Sequence, residues 1–185
     1  PLPELAFAGR SNVGKSSLIN ALAGRTLART SAAPGKTRLA NYFRLQPDRG
    51  AAFHLVDLPG YGYARGAREG RAFETLAQEY FFGGPQGAWM RPAIAGVVLL
   101  VDARHPGLEA DIAASNWFSA QGCAVALVGT KADKLSRAER QRSASALRTA
   151  FGRDALMTSA SSREGIEELW AWIAQQVEQW KQLHP

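Results

Sequence analysis

The sequence contains little cysteine and little histidine. Among its 185 residues there is one cysteine, Cys123, and there are three histidines, His54, His105 and His184. A single cysteine excludes an internal disulfide, and because Cys123 opens a strand-like run, we interpret it as a small packed side chain and not as a nucleophile. The histidines lie far apart, without the spacing of metal ligands, which argues against a transition-metal site.

Long apolar stretches and a secretory signal are also missing. No run approaches the roughly 18 uninterrupted apolar residues of a membrane-spanning helix. The start at Pro1 lacks a basic segment followed by an apolar one. We therefore expect a cytoplasmic protein with no membrane association. Because the chain starts without methionine, we also expect that a short N-terminal extension is absent from it.

Acidic residues are scarce in one part of the chain. Between Arg10 and Arg71 there are eleven basic residues and three acidic ones, a net charge of +8, whereas the whole chain carries +6. A basic surface attracts polyanions, and RNA is the polyanion that we expect. The alternative is that these arginines only keep the protein soluble. The excess includes Arg25, Arg29, Lys36, Arg38, Arg65, Arg68 and Arg71.

The most informative motif is a phosphate-binding loop. Residues 9–16 read G-R-S-N-V-G-K-S and match G-x-x-x-x-G-K-[ST] at each fixed position, directly after the apolar run from Leu5 to Ala8. In this motif, backbone N–H groups of the loop and of the following helix surround a phosphate. Lys15 would reach the β- and γ-phosphates, and the Ser16 hydroxyl would bind Mg²⁺. The predicted nucleotide contacts here are Gly9, Arg10, Ser11, Asn12, Val13, Gly14, Lys15, Ser16 and Ser17.

A second motif, Asp57-Leu58-Pro59-Gly60, follows the apolar run from Phe53 to Val56. An aspartate at the end of a strand can hold Mg²⁺ through water, and the N–H of Gly60 can bond the γ-phosphate until hydrolysis removes it. On its own the motif would indicate an ordinary turn with proline before glycine. Beside a phosphate-binding loop, it indicates that nucleotide state is coupled to loop shape.

A third motif, Thr130-Lys131-Ala132-Asp133, follows the apolar run from Ala124 to Val128 and predicts the base. The Asp133 carboxylate can accept hydrogen bonds from both N1–H and N2–H of guanine, whereas adenine lacks the second donor. Lys131 would lay its aliphatic stem on the purine, and the Ala160 N–H would bond guanine O6. The alternatives are a solvated loop for the motif and helix capping for Ser161, which forms a capping-box pattern with Glu164. The predicted base contacts are Thr130, Lys131, Ala132, Asp133, Ser159, Ala160 and Ser161.

The apolar pattern predicts an α/β fold. Continuous apolar runs such as Ile94 to Val101 suit parallel strands buried on both faces, and helical patterns separate these runs. With 46% hydrophobic residues, the chain is long enough for one sizeable core. We predict a single domain over residues 1–185, with a mostly parallel six-stranded sheet between two layers of helices. The apolar stripe of the last helix comprises Ile166, Leu169, Trp170, Ile173, Val177 and Trp180.

Four segments together resemble the EngB family of ribosome-biogenesis GTPases. They are F-A-G-R-S-N-V-G-K-S-S-L-I-N at 7–20, P-G-K-T at 34–37, D-L-P-G-Y-G-Y-A at 57–64 and T-K-A-D-K at 130–134. The resemblance implies a Ras-like G domain of the P-loop NTPase class, cytoplasmic and monomeric, that assists late assembly of the large (50S) ribosomal subunit. Its partners would be ribosomal RNA and ribosomal proteins, and the resemblance also implies a link to cell division and septation.

The resemblance also assigns residues by position. Thr37 would close onto Mg²⁺ and the γ-phosphate, so that Ala28 to Arg38 forms the first switch and Asp57 to about Arg71 the second. Gly35, Lys36 and Thr37 join the nucleotide contacts, as do Asp57, Leu58, Pro59 and Gly60. The implied catalytic residues are Lys15, Thr37 and Gly60, and the implied Mg²⁺ ligands are Ser16, Thr37 and Asp57, with GTP or GDP as the bound nucleotide.

Three positions affect the expected kinetics. Tyr61 stands where many G proteins have a glutamine that orients the attacking water, so we expect slow intrinsic hydrolysis. The ribosomal partner or K⁺ would complete the site, because potassium-activated relatives use an asparagine at the position of Asn12; the alternative is that Asn12 only stabilises its loop. Thr130 replaces the asparagine of the general G-protein pattern, and we expect micromolar nucleotide affinity.

Two other classes of function are compatible with parts of this pattern. A constitutive RNA- or ribosome-binding module would use nucleotide only to stabilise its fold. A P-loop metabolic kinase would need ATP or a small acceptor, and the guanine pattern of Thr130 to Asp133 argues against it.

Overall fold

A computed structural model describes residues 1–28, 40–47, 50–61, 77–83 and 91–185. Within these ranges six strands form one sheet in the order β2-β3-β1-β4-β5-β6, which confirms the predicted six-stranded sheet. The strands are β1 Glu4–Gly9, β2 Asn41–Leu45, β3 Phe53–Asp57, β4 Ile94–Asp102, β5 Val125–Thr130 and β6 Leu156–Met157.

The sheet is parallel except at one edge, where β2 runs antiparallel to β3. Phe7 on β1 lies opposite Asp57 on β3, and Asp102 on β4 lies opposite Thr130 on β5. The carboxyl ends of these four strands therefore meet at the same edge of the sheet. Open α/β sheets bind ligands at that edge.

Helices cover both faces of the sheet, which confirms the three-layer fold. One buried cluster packs α1 and α4 against the sheet through residues such as Leu18 and Ile173. The other packs the remaining helices against the opposite face through Phe81, Phe118 and Leu147. The helices are α1 Lys15–Ala23, α2 Glu109–Ala120, α3 Arg137–Phe151 and α4 Ile166–Leu183, and residues 77–82 are also helical.

The alternative interpretation of Ser161, as the capping residue of α4 in a box with Glu164, is wrong. The helix begins at Ile166, its N-cap is Gly165 with a φ of 71°, and no side chain caps it. Glu164 instead pairs with Arg140 of α3. A capping box does form at the start of α3, where the Ser136 side chain accepts from the Glu139 N–H and the Glu139 carboxylate accepts from the Ser136 N–H. That pair fits the same sequence pattern.

The interpretations of the packed side chains hold in part. Trp180 is buried and Trp170 is partly buried, each donating its indole N–H to a backbone carbonyl. Cys123 is only partly buried, yet burial raises the pKa of its thiol to about 11, which disfavours a nucleophilic thiolate. His54 packs edge-on against Tyr42. Trp89 lies outside the described residues. Among the residues that the structure describes, no helix is long and apolar enough to cross a membrane.

Candidate functional site

The phosphate-binding loop connects the end of β1 to the start of α1. Gly14 adopts a φ of 105° directly before the helix, a conformation that favours glycine. Gly9 is required for a different reason, since a Cβ there would lie 2.9 Å from the Leu100 carbonyl oxygen. The first turn of α1 has no side-chain cap. Its N–H groups are therefore available to an anion, as the sequence motif predicts.

Lys15 and Asp57 meet at the centre of this edge. The Lys15 ammonium donates to Oδ1 of Asp57, and the two residues are only 8% and 2% exposed. Lys15 belongs to the first turn of α1 and Asp57 ends β3, so the sheet register brings together two motifs that are 42 positions apart. A buried pair of this kind places one positive and one negative group where phosphate and its cation would bind.

The donor atoms at this point suit magnesium. Ser16 and Asp57 offer a hydroxyl and a carboxylate, the hard oxygen ligands that Mg²⁺ prefers, and Mg²⁺ usually takes its other ligands from water and substrate phosphates. Within the described ranges no group of three or more His, Cys, Asp or Glu side chains could hold a metal without such help. The other predicted ligand, Thr37, lies outside the described residues together with Gly35 and Lys36.

The second motif is hydrogen-bonded to the phosphate-binding loop. The N–H of Ser11 donates to the Tyr61 carbonyl oxygen at 3.2 Å, and the Tyr61 N–H donates to the Gly9 carbonyl oxygen at 3.3 Å. Between these bonds Gly60 packs so closely that a Cβ would lie 2.8 Å from the Ser11 nitrogen. The beginning of the predicted second switch, residues 57–61, therefore contacts the loop that would hold the phosphates. Residues 62–71 of that segment are outside the described part.

Tyr61 is buried against a carboxylate that sequence reasoning missed. Its hydroxyl donates to Oδ1 of Asp111 at 3.0 Å, and Arg10 donates from Nε to Oδ2 of the same carboxylate at 3.2 Å. Burial, followed by the charge of Asp111, raises the pKa of Tyr61 well above its usual value, so the phenol remains a donor. Arg10 was predicted as a nucleotide contact and not as a partner of Asp111, and nothing in the local sequence around Asp111 indicates this contact.

At the base end, Asp133 is held by serine hydroxyls. Ser159, which is fully buried, donates its hydroxyl to Oδ1 of Asp133 at 2.8 Å, and its Oγ lies 3.0 Å from Oγ of Ser161. The hydrogen bond from Ser159 lowers the pKa of Asp133, so its carboxylate is ionised at neutral pH. No acceptor for the Ala160 N–H is found within the described ranges. An ionised carboxylate can accept two hydrogen bonds from guanine, and a backbone N–H such as that of Ala160 can donate to guanine O6.

Lys131 crosses from the base motif to the phosphate-binding loop. With a φ of 61°, it directs its ammonium to the Asn12 carbonyl oxygen at 2.7 Å and to Oδ2 of Asp102 at 2.9 Å. Burial opposes the ionisation of Asp102, yet hydrogen bonds from Arg104 and then from Lys131 outweigh it and hold the pKa of Asp102 well below its usual range. Asp102 was missed from the sequence, although it ends the predicted β4 run.

Thr130 joins the same two segments. Its hydroxyl lies 2.6 Å from the Val13 carbonyl oxygen and 3.1 Å from the Val101 carbonyl oxygen. One hydroxyl hydrogen can serve only one acceptor at a time. Threonine therefore reaches the phosphate-binding loop despite being shorter than asparagine, at the cost of the second donor that an amide would supply.

Known proteins are similar to this chain in sequence and in fold. A family model described as "50S ribosome-binding GTPase" matches residues 4–131. The probable GTP-binding protein EngB of Pelotomaculum thermopropionicum is 44% identical over 174 residues, which cover 91% of this chain and 82% of that protein. The EngB relative from Rhodospirillum rubrum is 43% identical over 182 residues, covering 94% and 76% of the two chains.

Solved structures agree on the fold. The crystal structure of a probable GTP-binding protein engB superposes with a TM-score of 0.70 at 21% identity, covering 95% of this chain and 99% of that one. Era in complex with MgGDPNP and nucleotides 1506-1542 of 16S ribosomal RNA gives a TM-score of 0.76 at 20% identity, covering 95% of this chain and 56% of Era. At such identities the likeness shows the fold alone.

Proposed function

This chain belongs to the EngB family of GTP-binding proteins and is a GTPase, and we propose that it acts as a nucleotide-dependent switch in assembly of the large (50S) ribosomal subunit in the cytoplasm. The observation that carries the switch is the pair of hydrogen bonds between residues 9–11 and Tyr61. The segment that would sense the γ-phosphate is bonded directly to the loop that would hold it. Binding or loss of the γ-phosphate at this loop would therefore act directly on the start of the second switch, through these two hydrogen bonds.

The proposed nucleotide site uses the loop N–H groups and Lys15 for the phosphates, with Ser16, Thr37 and Asp57 for Mg²⁺. Bound Mg²⁺ would neutralise charge on the phosphate oxygens. Lys15, now paired with Asp57, would turn to the β- and γ-phosphates. The base would be read by Asp133, with Lys131 along the purine and Ala160 at O6. The hydrogen bonds from Lys131 and Thr130 to the loop support one site that couples base and phosphates.

Intrinsic hydrolysis is proposed to be slow, because the Tyr61 hydroxyl is bonded to Asp111 and a phenol there does not orient water as a glutamine does. An outside group would then complete the site. The ribosomal partner is one source and K⁺ is the other. The exposed Asn12 has no side-chain hydrogen bond to the described residues, which leaves its amide available to a cation. Its φ of 62° equally suits an asparagine that only stabilises the turn.

Support for a ribosomal partner comes from the family model and from charge. The matched family model carries the description "50S ribosome-binding GTPase". The sequence from Arg10 to Arg71 includes both proposed switches, and its net charge of +8 favours binding to rRNA. The proposal therefore places rRNA beside the segments that respond to nucleotide.

Single-turnover GTP hydrolysis tests this function. We expect the large subunit to accelerate hydrolysis by at least about tenfold, which corresponds to about 1.4 kcal/mol of transition-state stabilisation. The small subunit is the matched control and should leave the rate unchanged. Measuring the hydrolysis rate in potassium and in sodium buffers tests the role of Asn12. Equal rates in the two buffers would exclude K⁺ as the activating group. Equal rates with and without the large subunit would favour a constitutive binding module.

A further inference from the structure

One face of the sheet at its β2 edge carries an exposed aromatic and basic patch. We call Tyr42, Arg44 and His54 the β2 patch. Phe43 and Leu45 pack into the cluster that contains α1 and α4, so the alternating residues Tyr42 and Arg44 point to the opposite face. His54 on β3 lies directly opposite Arg44 in the antiparallel register and shares that face.

The Tyr42 ring is held by other rings and is still accessible. Its side chain meets His54 edge-on at a centroid distance of 6.0 Å and Tyr80 at 6.3 Å, yet Tyr42 is 47% exposed. Tyr80 belongs to the buried aromatic group that also contains Phe81 and Phe118. Tyr42 therefore lies at the rim of this packing, as an oriented aromatic surface in contact with solvent.

Two arginines, Arg91 and Arg44, belong to the surroundings of this ring, and only Arg91 has a carboxylate partner among the described residues. Glu4, which is 5% exposed, accepts hydrogen bonds from Arg91 at 2.8 Å and from the Tyr80 hydroxyl at 2.9 Å, so its carboxylate is satisfied inside the protein. Arg91 also reaches the Tyr42 hydroxyl at 3.4 Å. Arg44 is exposed and makes no ion pair within the described ranges. A guanidinium without a carboxylate partner is available to a phosphate.

We propose that the β2 patch binds a single-stranded RNA segment, with a base stacked on Tyr42 and a phosphate held by Arg44. Exposed aromatic rings beside arginines bind unpaired bases, whereas the bases of an RNA duplex are already stacked on each other. This inference rests on the proposed ribosomal function and specifies one contact of that partner. In the sequence, β2 and β3 stand between the two proposed switches, which are residues 28–38 and 57 to about 71.

Fluorescence anisotropy with labelled single-stranded oligouridylate and oligoadenylate of about ten nucleotides tests the stacking contact. For the full chain, Tyr42→Ala should raise the dissociation constant by about 5- to 100-fold. Tyr42→Phe keeps the ring and should remain within about twofold of the unsubstituted chain. A duplex of the same length should bind in a way that Tyr42→Ala does not change.

The phosphate contact has its own signature. The slope of log K against log salt concentration is negative, and Arg44→Ala should reduce its magnitude by about 0.7 for a single strand. Arg142→Ala removes another exposed arginine, on α3, and should leave the slope unchanged. Intrinsic GTP hydrolysis should be unaffected in all four variants, because none of these side chains belongs to the proposed nucleotide site. Thermal unfolding checks that each variant is folded at the assay temperature, since Tyr42→Ala also removes ring contacts with His54 and Tyr80.

The RNA assignment is overturned if folded Tyr42→Ala binds the oligonucleotides as tightly as the unsubstituted chain. It is also overturned if Tyr42→Ala loses the large subunit while RNA binding is unchanged, since the patch would then contact protein. The ribosomal function is judged separately, by pelleting the unsubstituted chain with each subunit. If RNA binding depends on Tyr42 but the chain pellets with neither subunit, the RNA contact of the β2 patch is supported and the proposed ribosomal function is contradicted.

Discussion

Asp133→Asn is expected to change the preferred base from guanine to xanthine. The Asp133 carboxylate, ionised and held by Ser159, would accept two hydrogen bonds from guanine N1–H and N2–H. An asparagine amide keeps one acceptor and presents a donor to the guanine amino group. Two charge-assisted hydrogen bonds are affected, so we expect GTP and GDP affinity to fall by about 10³-fold. Xanthine has a carbonyl in place of that amino group and should bind the variant well.

Competition titrations with GTP, XTP and ATP measure this change. Asp154→Asn makes the same chemical change at an exposed aspartate that pairs with Arg148, and it should leave base preference unaltered. An Asp133→Asn variant that still prefers guanine would show that Asp133 does not read the base.

Lys15→Met is expected to abolish most of the hydrolysis. The Lys15 ammonium is the cation that the motif directs to the β- and γ-phosphates, and charge on the transferring phosphoryl group has to be stabilised in the transition state. Loss of one such donor lowers the rate by about 10²–10³-fold. Lys181→Met, on an exposed lysine near the end of α4, is the matched control.

Lys15→Met also lowers stability, and this effect must be distinguished from the loss of hydrolysis. Without Lys15, the buried carboxylate of Asp57 loses its cation, and breaking a buried pair costs about 3–5 kcal/mol of unfolding free energy. The double variant Lys15→Met/Asp57→Asn removes both charges and should regain much of that stability without regaining hydrolysis. Thermal unfolding and single-turnover rates distinguish the two. If the double variant hydrolysed GTP at the original rate, neither residue could belong to the reaction centre.

The parts of the site that are local in sequence were predictable. The residues of the phosphate-binding loop, Asp57 and Asp133 follow apolar runs that become parallel strands of one sheet, so their motifs had to meet at one edge of the sheet.

Contacts between distant residues were not predictable. Arg10 and Asp111 are 101 positions apart, and no periodicity places α2 beside the phosphate-binding loop. The capping-box error has a related cause. Glu164 fits the local pattern, but its carboxylate pairs with Arg140 across the fold, and Gly165 provides the turn that starts α4. At each of these positions a contact with a residue distant in sequence determines the structure, and a local sequence pattern does not reveal such a contact.

Sedimentation with purified subunits tests the switch most directly. The unsubstituted chain should pellet with the large subunit in a non-hydrolysable GTP analogue and remain in the supernatant in GDP, while the small subunit retains it in neither state. Asp133→Asn should need the corresponding xanthine analogue instead, which ties binding to the nucleotide in this site. Equal pelleting in GDP and in the GTP analogue, or pelleting of Asp133→Asn without regard to the base, would contradict the account.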